Sequence, residues 1–135
     1  MNQTEDLGKL LLRLSLGIMI LLHGISKIIN GVGGISGMLE RSGMPGELAY
    51  LAYVGEVLAP VLLIIGLWTR PAALLVAINM LVAIWLAHMS ELFVISERGG
   101  GWALELQGMF LFTAIAIALL GAGSYSVAGR SGKWN

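Results

Sequence analysis

Four long apolar stretches make up most of this chain of 135 residues and limit what it can fold into. They cover approximately residues 7–29, 46–68, 71–90 and 102–121. A helix needs about 20 apolar residues to cross the hydrocarbon core of a bilayer, and each stretch has that length. The sequence therefore predicts an all-α membrane protein, a four-transmembrane-helix bundle formed by a single domain over residues 1–135.

The composition agrees with a membrane location and excludes several functions. Charged residues make up only 12% of the chain, against roughly 25% in ordinary soluble domains. The formal net charge is zero, so no overall positive field favours nucleic acid and no nucleic-acid partner is expected. The chain has no cysteine, which excludes disulfides, thiolate-bound metals and iron–sulfur clusters held by its own residues.

The segment between the first two stretches is rich in glycine and is too short for a further domain. Its apolar residues Ile35, Met38 and Leu39 have the spacing of one helix face. We therefore expect a short interfacial helix between the first and second transmembrane helices.

The basic residues outside the apolar stretches predict an orientation. The positive-inside rule assigns the side that is richer in lysine and arginine to the cytoplasm. That side holds both termini and the middle turn, so both termini are expected in the cytoplasm. Its basic residues are Lys9, Arg70, Arg130 and Lys133, against Arg41 and Arg98 on the opposite side.

Ionisable side chains within or at the ends of these stretches are the candidate functional groups, because charges at membrane depth are costly and usually functional. His23 and Lys27 are four residues apart and share one helix face. Glu56 is their natural counter-charge, and Pro60 disrupts the helical hydrogen bond to its carbonyl. Helix rise brings residues from four different helices to the outer half of the bundle. They are His23, Lys27, Glu56, His88 and Glu105.

Several polar residues also have structural interpretations that the sequence leaves open. Arg13 and Lys27 could extend to the lipid headgroups at their own ends of the helix, and His88 could be a simple interfacial residue. Asn79 and Gln107 could act as interhelical hydrogen-bond donors rather than as ligand-binding groups. The two histidines lack a pattern of further ligands, so no metal or haem site is expected.

The order and spacing of several short motifs resemble the DoxX family over nearly the whole chain. The motifs are RLSLGIMILLHGISKI, VGEVLAPVLLIIGLWTRPAALLVAINML, and LELQGMFLF followed by LLGAGSYSVA. The resemblance implies a four-helix integral protein of the bacterial or archaeal inner membrane, similar to membrane partners of redox or detoxifying proteins. The positions that match the family are Arg13, His23, Gly24, Lys27, Glu56, Arg70 and Glu105.

The first functional hypothesis is an integral membrane subunit of a quinone-linked oxidoreductase. Glu56, His23 and Lys27 are then the expected catalytic residues, which bond the quinone carbonyl oxygens and exchange protons with them. Electrons would come from a redox partner protein, because the chain carries no cofactor motif. The expected quinone-binding residues are Arg13, Gly24, His88, Glu105 and Asn79.

Two other hypotheses belong to different functional classes. The chain could be a non-catalytic membrane scaffold that anchors a partner protein, with the polar cluster fixing helix register. It could also be a small proton-coupled transporter, which would need a homo-oligomer because four spans are few for a monomer. Added quinone should affect the protein only under the first hypothesis.

Overall fold

The computed structural model describes residues 2–97 and 99–135 and shows a bundle of helices. We call the end of the bundle that holds both chain termini the terminal end, and the opposite end the loop end. The loop end corresponds to the outer half in the orientation predicted from the sequence. In chain order, the α-helices of the described residues are α1 (Gln3–Asn30), α2 (Gly33–Arg41), α3 (Ala59–Ile65), α4 (Thr69–Ala87) and α5 (Glu105–Leu120).

Helix α1 carries clear start and stop signals in its sequence. The Asn2 side chain caps the helix by accepting a hydrogen bond of 2.9 Å from the backbone N–H of Thr4. Lys27 lies in the last turn, where the helix dipole favours a positive charge. Gly31 follows the helix with a φ of 79°, which glycine adopts without strain. With 28 residues, α1 is about 42 Å long and carries the candidate residues His23 and Lys27 close to the loop end.

The second membrane helix, Gly46–Ile65, changes its hydrogen-bonding pattern twice. It is a 3-10 helix over Gly46–Leu51, a π-helix over Val54–Leu58, and then α3. The π-helical segment comes just before Pro60, which has no N–H and cannot bond the carbonyl of Glu56 in the α-helical manner. The interruption predicted at this proline is therefore present as a π-helical segment.

Small side chains bring the helices close together at the centre of the bundle. Helix α4 packs against α5 and α3, and α1 packs against α3 and α5. Alanines are frequent in this core and allow close approach of the backbones. The buried core residues are Leu16, Ile20, Ala59, Leu63, Ala72, Ala73, Val76, Ala77, Met80, Phe110, Ala114 and Ile117. Many large apolar side chains lie on the outside instead, as a lipid-facing surface requires.

The four-helix membrane bundle predicted from the sequence is confirmed, with changes at the helix ends. Among the described residues, α1, the second membrane helix and α4 are long and apolar enough to cross a membrane. The second membrane helix ends at Ile65 and α4 ends at Ala87, each three residues before the predicted limits of 68 and 90. Helix α5 is a shorter apolar helix of 16 residues, about 24 Å long.

Helix α5 begins at Glu105 rather than at the predicted residue 102 because the preceding residues form a hairpin-like loop. Trp102 pairs with Ile95 in an antiparallel bridge. Its indole N–H also donates a hydrogen bond of 2.8 Å to the carbonyl of Leu92. Trp102 is therefore fixed to the loop instead of starting the helix.

The short helix expected between the first two membrane helices is confirmed as α2. Its buried residue Leu39 packs with Val32 and Ala49 in a small second core. This core joins α2 to the start of the second membrane helix, so α2 covers part of the loop end.

Candidate functional site

An ion pair between Lys27 and Glu56 is the centre of the candidate site. Lys27 Nζ lies 2.6 Å from Glu56 Oε1, and the side chains are 24% and 7% exposed, respectively. Helix α1 supplies the lysine, and the π-helical segment supplies the glutamate. The ion pair gives a counter-charge to a carboxylate that is almost entirely buried.

Close packing between α1 and the π-helical segment holds this ion pair in place. Gly24 lies against the Glu56 backbone, and a Cβ at this position would overlap the Glu56 carbonyl oxygen and the Val57 side chain. The Tyr53 hydroxyl donates a hydrogen bond of 3.1 Å to the backbone carbonyl of Lys27. Glycine at position 24 therefore allows the close approach that lets the lysine side chain reach Glu56.

The ion pair forms part of the wall of a cavity of about 600 Å³ at the loop end. Most of its lining is apolar and comes from α1, α2, the second membrane helix, α4 and α5. This size and lining are typical of sites for small, largely apolar ligands. The structure thus brings four of the five residues of the expected cluster to one cavity. The polar lining residues are His23, Lys27, Glu56, Asn79, His88 and Gln107.

The ring of His23 is held in one orientation on the cavity wall. Its Nδ1 lies 2.9 Å from the carbonyl oxygen of Met19, and since a carbonyl only accepts, Nδ1 carries the proton. The ring meets Phe110 edge-on, with centroids 5.8 Å apart. In neutral His23 the Nε2 atom is therefore a hydrogen-bond acceptor, and it becomes a donor only when the ring is protonated.

His88 lies in a chain of three polar side chains at the loop end. His88 Nδ1 is 3.4 Å from Glu91 Oε1, and its Nε2 is 3.4 Å from Gln107 Nε2. An ionised carboxylate only accepts, so Nδ1 donates to Glu91 and Nε2 accepts from the Gln107 amide. The side chain of Glu91 is 44% exposed. The chain therefore runs from the cavity wall to the surface of the protein.

Asn79 lines the cavity as well, whereas Glu105 and Gly24 do not. Asn79 packs directly on Gly55 of the π-helical segment, where a Cβ would overlap its side chain. Glu105 is exposed at the start of α5, with its carboxylate beside Gly101. Gly24 acts through the packing described above and not as part of the cavity wall. The cavity wall therefore includes Asn79, which was expected as a quinone-binding residue, but not Glu105 of the expected cluster.

Arg13 lies at the terminal end, about 21 Å along α1 from Lys27, and is not part of the cavity. It is 1% exposed. Its guanidinium donates hydrogen bonds of 2.9–3.2 Å to four backbone carbonyls, those of Leu63, Ile64, Ala122 and Tyr125. These bonds join α3 to the segment that follows α5. Arg13, which was expected among the quinone-binding residues, therefore lies apart from the cavity and bonds backbone carbonyls at the terminal end.

Further polar contacts attach the segment after α5 to the terminal end. Asp6 forms an ion pair with Arg130 and accepts a hydrogen bond of 2.6 Å from the Ser124 hydroxyl. The backbone N–H of Thr69, at the start of α4, donates a 3.1 Å bond to Asn135 Oδ1. The terminal end is therefore closed by its own chain, and the cavity lies at the loop end.

Three residues of the site were not among those that the sequence singled out. Phe110 supports the His23 ring, but an aromatic residue in an apolar helix gives no functional signal by itself. Tyr53 lies three residues before Glu56 and reaches the same turn of α1. Glu91 lies three residues after His88, and this i, i+3 spacing could have indicated the pair.

Comparisons with known proteins assign this chain to a family. No solved structure gives a significant match. The chain is 31% identical over 122 residues to the Bacillus subtilis protein named "Putative oxidoreductase CatD", covering 90% of this chain and 85% of that protein. It is 29% identical over 127 residues to the Escherichia coli protein named "Inner membrane protein YqjF", covering 94% of each. The DoxX family model matches residues 8–89, which is more than half of the chain, and the protein therefore belongs to the DoxX family.

Proposed function

We propose that the protein is the quinone-binding integral membrane subunit of a redox system. The observation that carries this proposal is the Lys27–Glu56 ion pair in the wall of a mostly apolar cavity within a membrane bundle. A quinone is soluble in the bilayer, has an uncharged ring, and needs hydrogen-bonding groups only at its oxygens. An apolar cavity with a few polar groups meets those requirements.

Four polar groups of the cavity have a defined part in this proposal. Lys27 donates a hydrogen bond to one ring oxygen, and the Lys27–Glu56 ion pair holds a proton that can move to that oxygen. Neutral His23 presents an acceptor at Nε2, so it bonds the hydroxyl of a quinol but needs protonation to bond a quinone carbonyl. Asn79 offers an amide donor and acceptor from the opposite helix, α4.

Reduction of a quinone to a quinol takes two electrons and two protons, of which the Lys27–Glu56 ion pair supplies one proton. We assign the electrons to a redox partner protein or a soluble donor, because the chain has no cysteine to hold an iron–sulfur centre, and the second proton to the same donor or to water. The printed name of the Bacillus subtilis relative, an oxidoreductase, supports a redox role. The printed name of the Escherichia coli relative supports the bacterial inner membrane as the location. The surplus of lysine and arginine at the terminal end supports an orientation with both termini in the cytoplasm.

Quinone binding by detergent-purified protein tests the proposal directly. We expect wild-type protein to bind one molecule of a short-tailed benzoquinone in equilibrium dialysis. Glu56→Gln keeps an acceptor for Lys27 but removes the charge, so it should keep the fold and weaken binding by about tenfold. Glu47→Gln is the matched control because this exposed glutamate lies on the same membrane helix and outside the cavity.

The outcomes separate the functional classes. Equal binding by wild type and Glu56→Gln would remove this carboxylate from the site. No binding by the wild-type protein, with a second polypeptide retained through purification, would support the scaffold function instead. Proton flux into vesicles that depends on oligomer formation would support the transporter function.

A further inference from the structure

We infer that Gln107, held by His88 and Glu91, forms a second polar end of the cavity, on a different helix from the Lys27–Glu56 ion pair. The ligand class that fits is a flat ring with hydrogen-bonding oxygens at two opposite positions. This inference rests on the proposed quinone site and extends it to the whole headgroup. It also assigns a ligand-binding role to a residue that the sequence identified only as an interhelical hydrogen-bond donor.

One observed contact gives the depth of the two polar ends along the bundle. The rings of His23 and Phe110 touch across the interface between the antiparallel helices α1 and α5. Lys27 is one turn, about 6 Å, from His23 towards the loop end, and Gln107 is about 4.5 Å from Phe110 in the same direction. Lys27 and Gln107 therefore lie at about the same depth on two different helices. Since both line the cavity, they face one space from two different helices.

The hydrogen bonds of His88 explain why Gln107, and not the histidine, meets the ligand. Both His88 ring nitrogens are engaged, one with Glu91 and the other with the Gln107 amide. The amide uses one N–H for this bond and keeps a second N–H and its carbonyl oxygen. His88 and Glu91 are therefore positioning residues, which fix the orientation of the Gln107 amide.

An amide suits a ligand that changes its redox state. Its remaining N–H can donate to a quinone carbonyl, and its oxygen can accept from a quinol hydroxyl. Gln107 therefore binds either form without a change in its own protonation. His23 and the Lys27–Glu56 ion pair, in contrast, respond to the protonation state of the other oxygen.

The test compares two ligands that differ at one end only. One is a decyl para-benzoquinone, and the other is a 4,4-dimethylcyclohexa-2,5-dienone with the same tail, which has a single ring carbonyl and cannot tautomerise to a phenol. Binding to the full-length protein in detergent is measured by equilibrium dialysis with mass-spectrometric detection. We expect the wild-type protein to bind the quinone about tenfold more tightly, because the one-ended ligand leaves a polar group of the cavity without a partner.

The variants assign this preference to Gln107. Gln107→Leu should weaken quinone binding by about tenfold and leave binding of the one-ended ligand within about twofold. Gln107→Met is a second apolar replacement and should give the same result as Gln107→Leu. It keeps the test valid if the leucine variant fails to fold. Glu91→Ala should weaken only quinone binding, and by less, because it acts through orientation. Glu97→Gln, in the same loop and outside the cavity, is the matched control.

The possible results separate this inference from the proposed function. If the wild-type protein binds neither ligand, the quinone site itself is wrong. If it binds both equally, or if Gln107→Leu weakens both equally, the quinone site stands and the second polar end is overturned. If the Gln107 variants lose the preference for the quinone over the one-ended ligand and the Glu97→Gln control keeps it, the inference is supported.

Discussion

Replacing Lys27 and Glu56 separately and together measures how much their interaction contributes to the free energy of unfolding. Removing one partner of a buried ion pair costs about 3–5 kcal/mol, because the other charge is left without compensation. Glu56 is only 7% exposed, so Lys27→Met leaves a stranded carboxylate and should cost about 3 kcal/mol. Lys27 is 24% exposed and regains some hydration, so Glu56→Leu should cost less, about 2 kcal/mol.

The double variant should be much more stable than the sum of the single variants. A well-packed apolar replacement of a buried ion pair is often neutral, so Lys27→Met with Glu56→Leu should lie within about 1 kcal/mol of wild type. The coupling energy is then about 4 kcal/mol. Titration of SDS into mixed micelles, followed by circular dichroism, gives the free energy of unfolding. If the losses of unfolding free energy of the two single variants add up to that of the double variant within about 0.5 kcal/mol, the two residues do not stabilise the fold as a pair.

Two further substitutions test the packing and the terminal end by the same unfolding measurement. Gly24→Ala should lower the free energy of unfolding by about 1–3 kcal/mol, because the new Cβ overlaps the Glu56 carbonyl. Gly8→Ala has open space around its Cβ and is the control; equal effects of the two would contradict the packing. Arg13→Met leaves four carbonyls without their donor and should cost at least about 3 kcal/mol. Quinone affinity of the folded Arg13→Met protein should stay unchanged, and a loss would return Arg13 to the ligand site.

Hydropathy, helix rise and residue type were sufficient to predict the bundle and most of the polar residues of the cavity wall. Each membrane helix is a nearly continuous apolar stretch, so its position in the chain can be predicted from hydropathy without knowledge of tertiary contacts. Depth then follows from residue number, which is why His23, Lys27 and Glu56 were expected at one end of the bundle. The same reasoning gives depth but not direction around the helix, and Glu105 shows the consequence. It lies at a similar depth but is exposed, outside the cavity.

Other features depend on contacts between segments distant in the sequence and could not be predicted. The carbonyls that bond Arg13 come from residues 50 and more positions away. Trp102 belongs to the loop because of its partners Ile95 and Leu92, although its neighbours in sequence are apolar. The role of Gln107 depends on His88, which lies on the other side of a long loop.

In the part of the chain that the structure describes, the two ends of the bundle satisfy their polar groups in different ways, and this difference is consistent with the position of the cavity at the loop end. At the terminal end, the Arg13 guanidinium bonds backbone carbonyls, whose positions are fixed by helix ends and a closing segment. Such bonds have little freedom to open without unfolding the segment. At the loop end, Lys27 and Glu56 bond through their side chains at the wall of a cavity. A side-chain pair can exchange one partner for a ligand oxygen by rotation alone, so the ligand binding that we propose at the loop end requires no change in the helices.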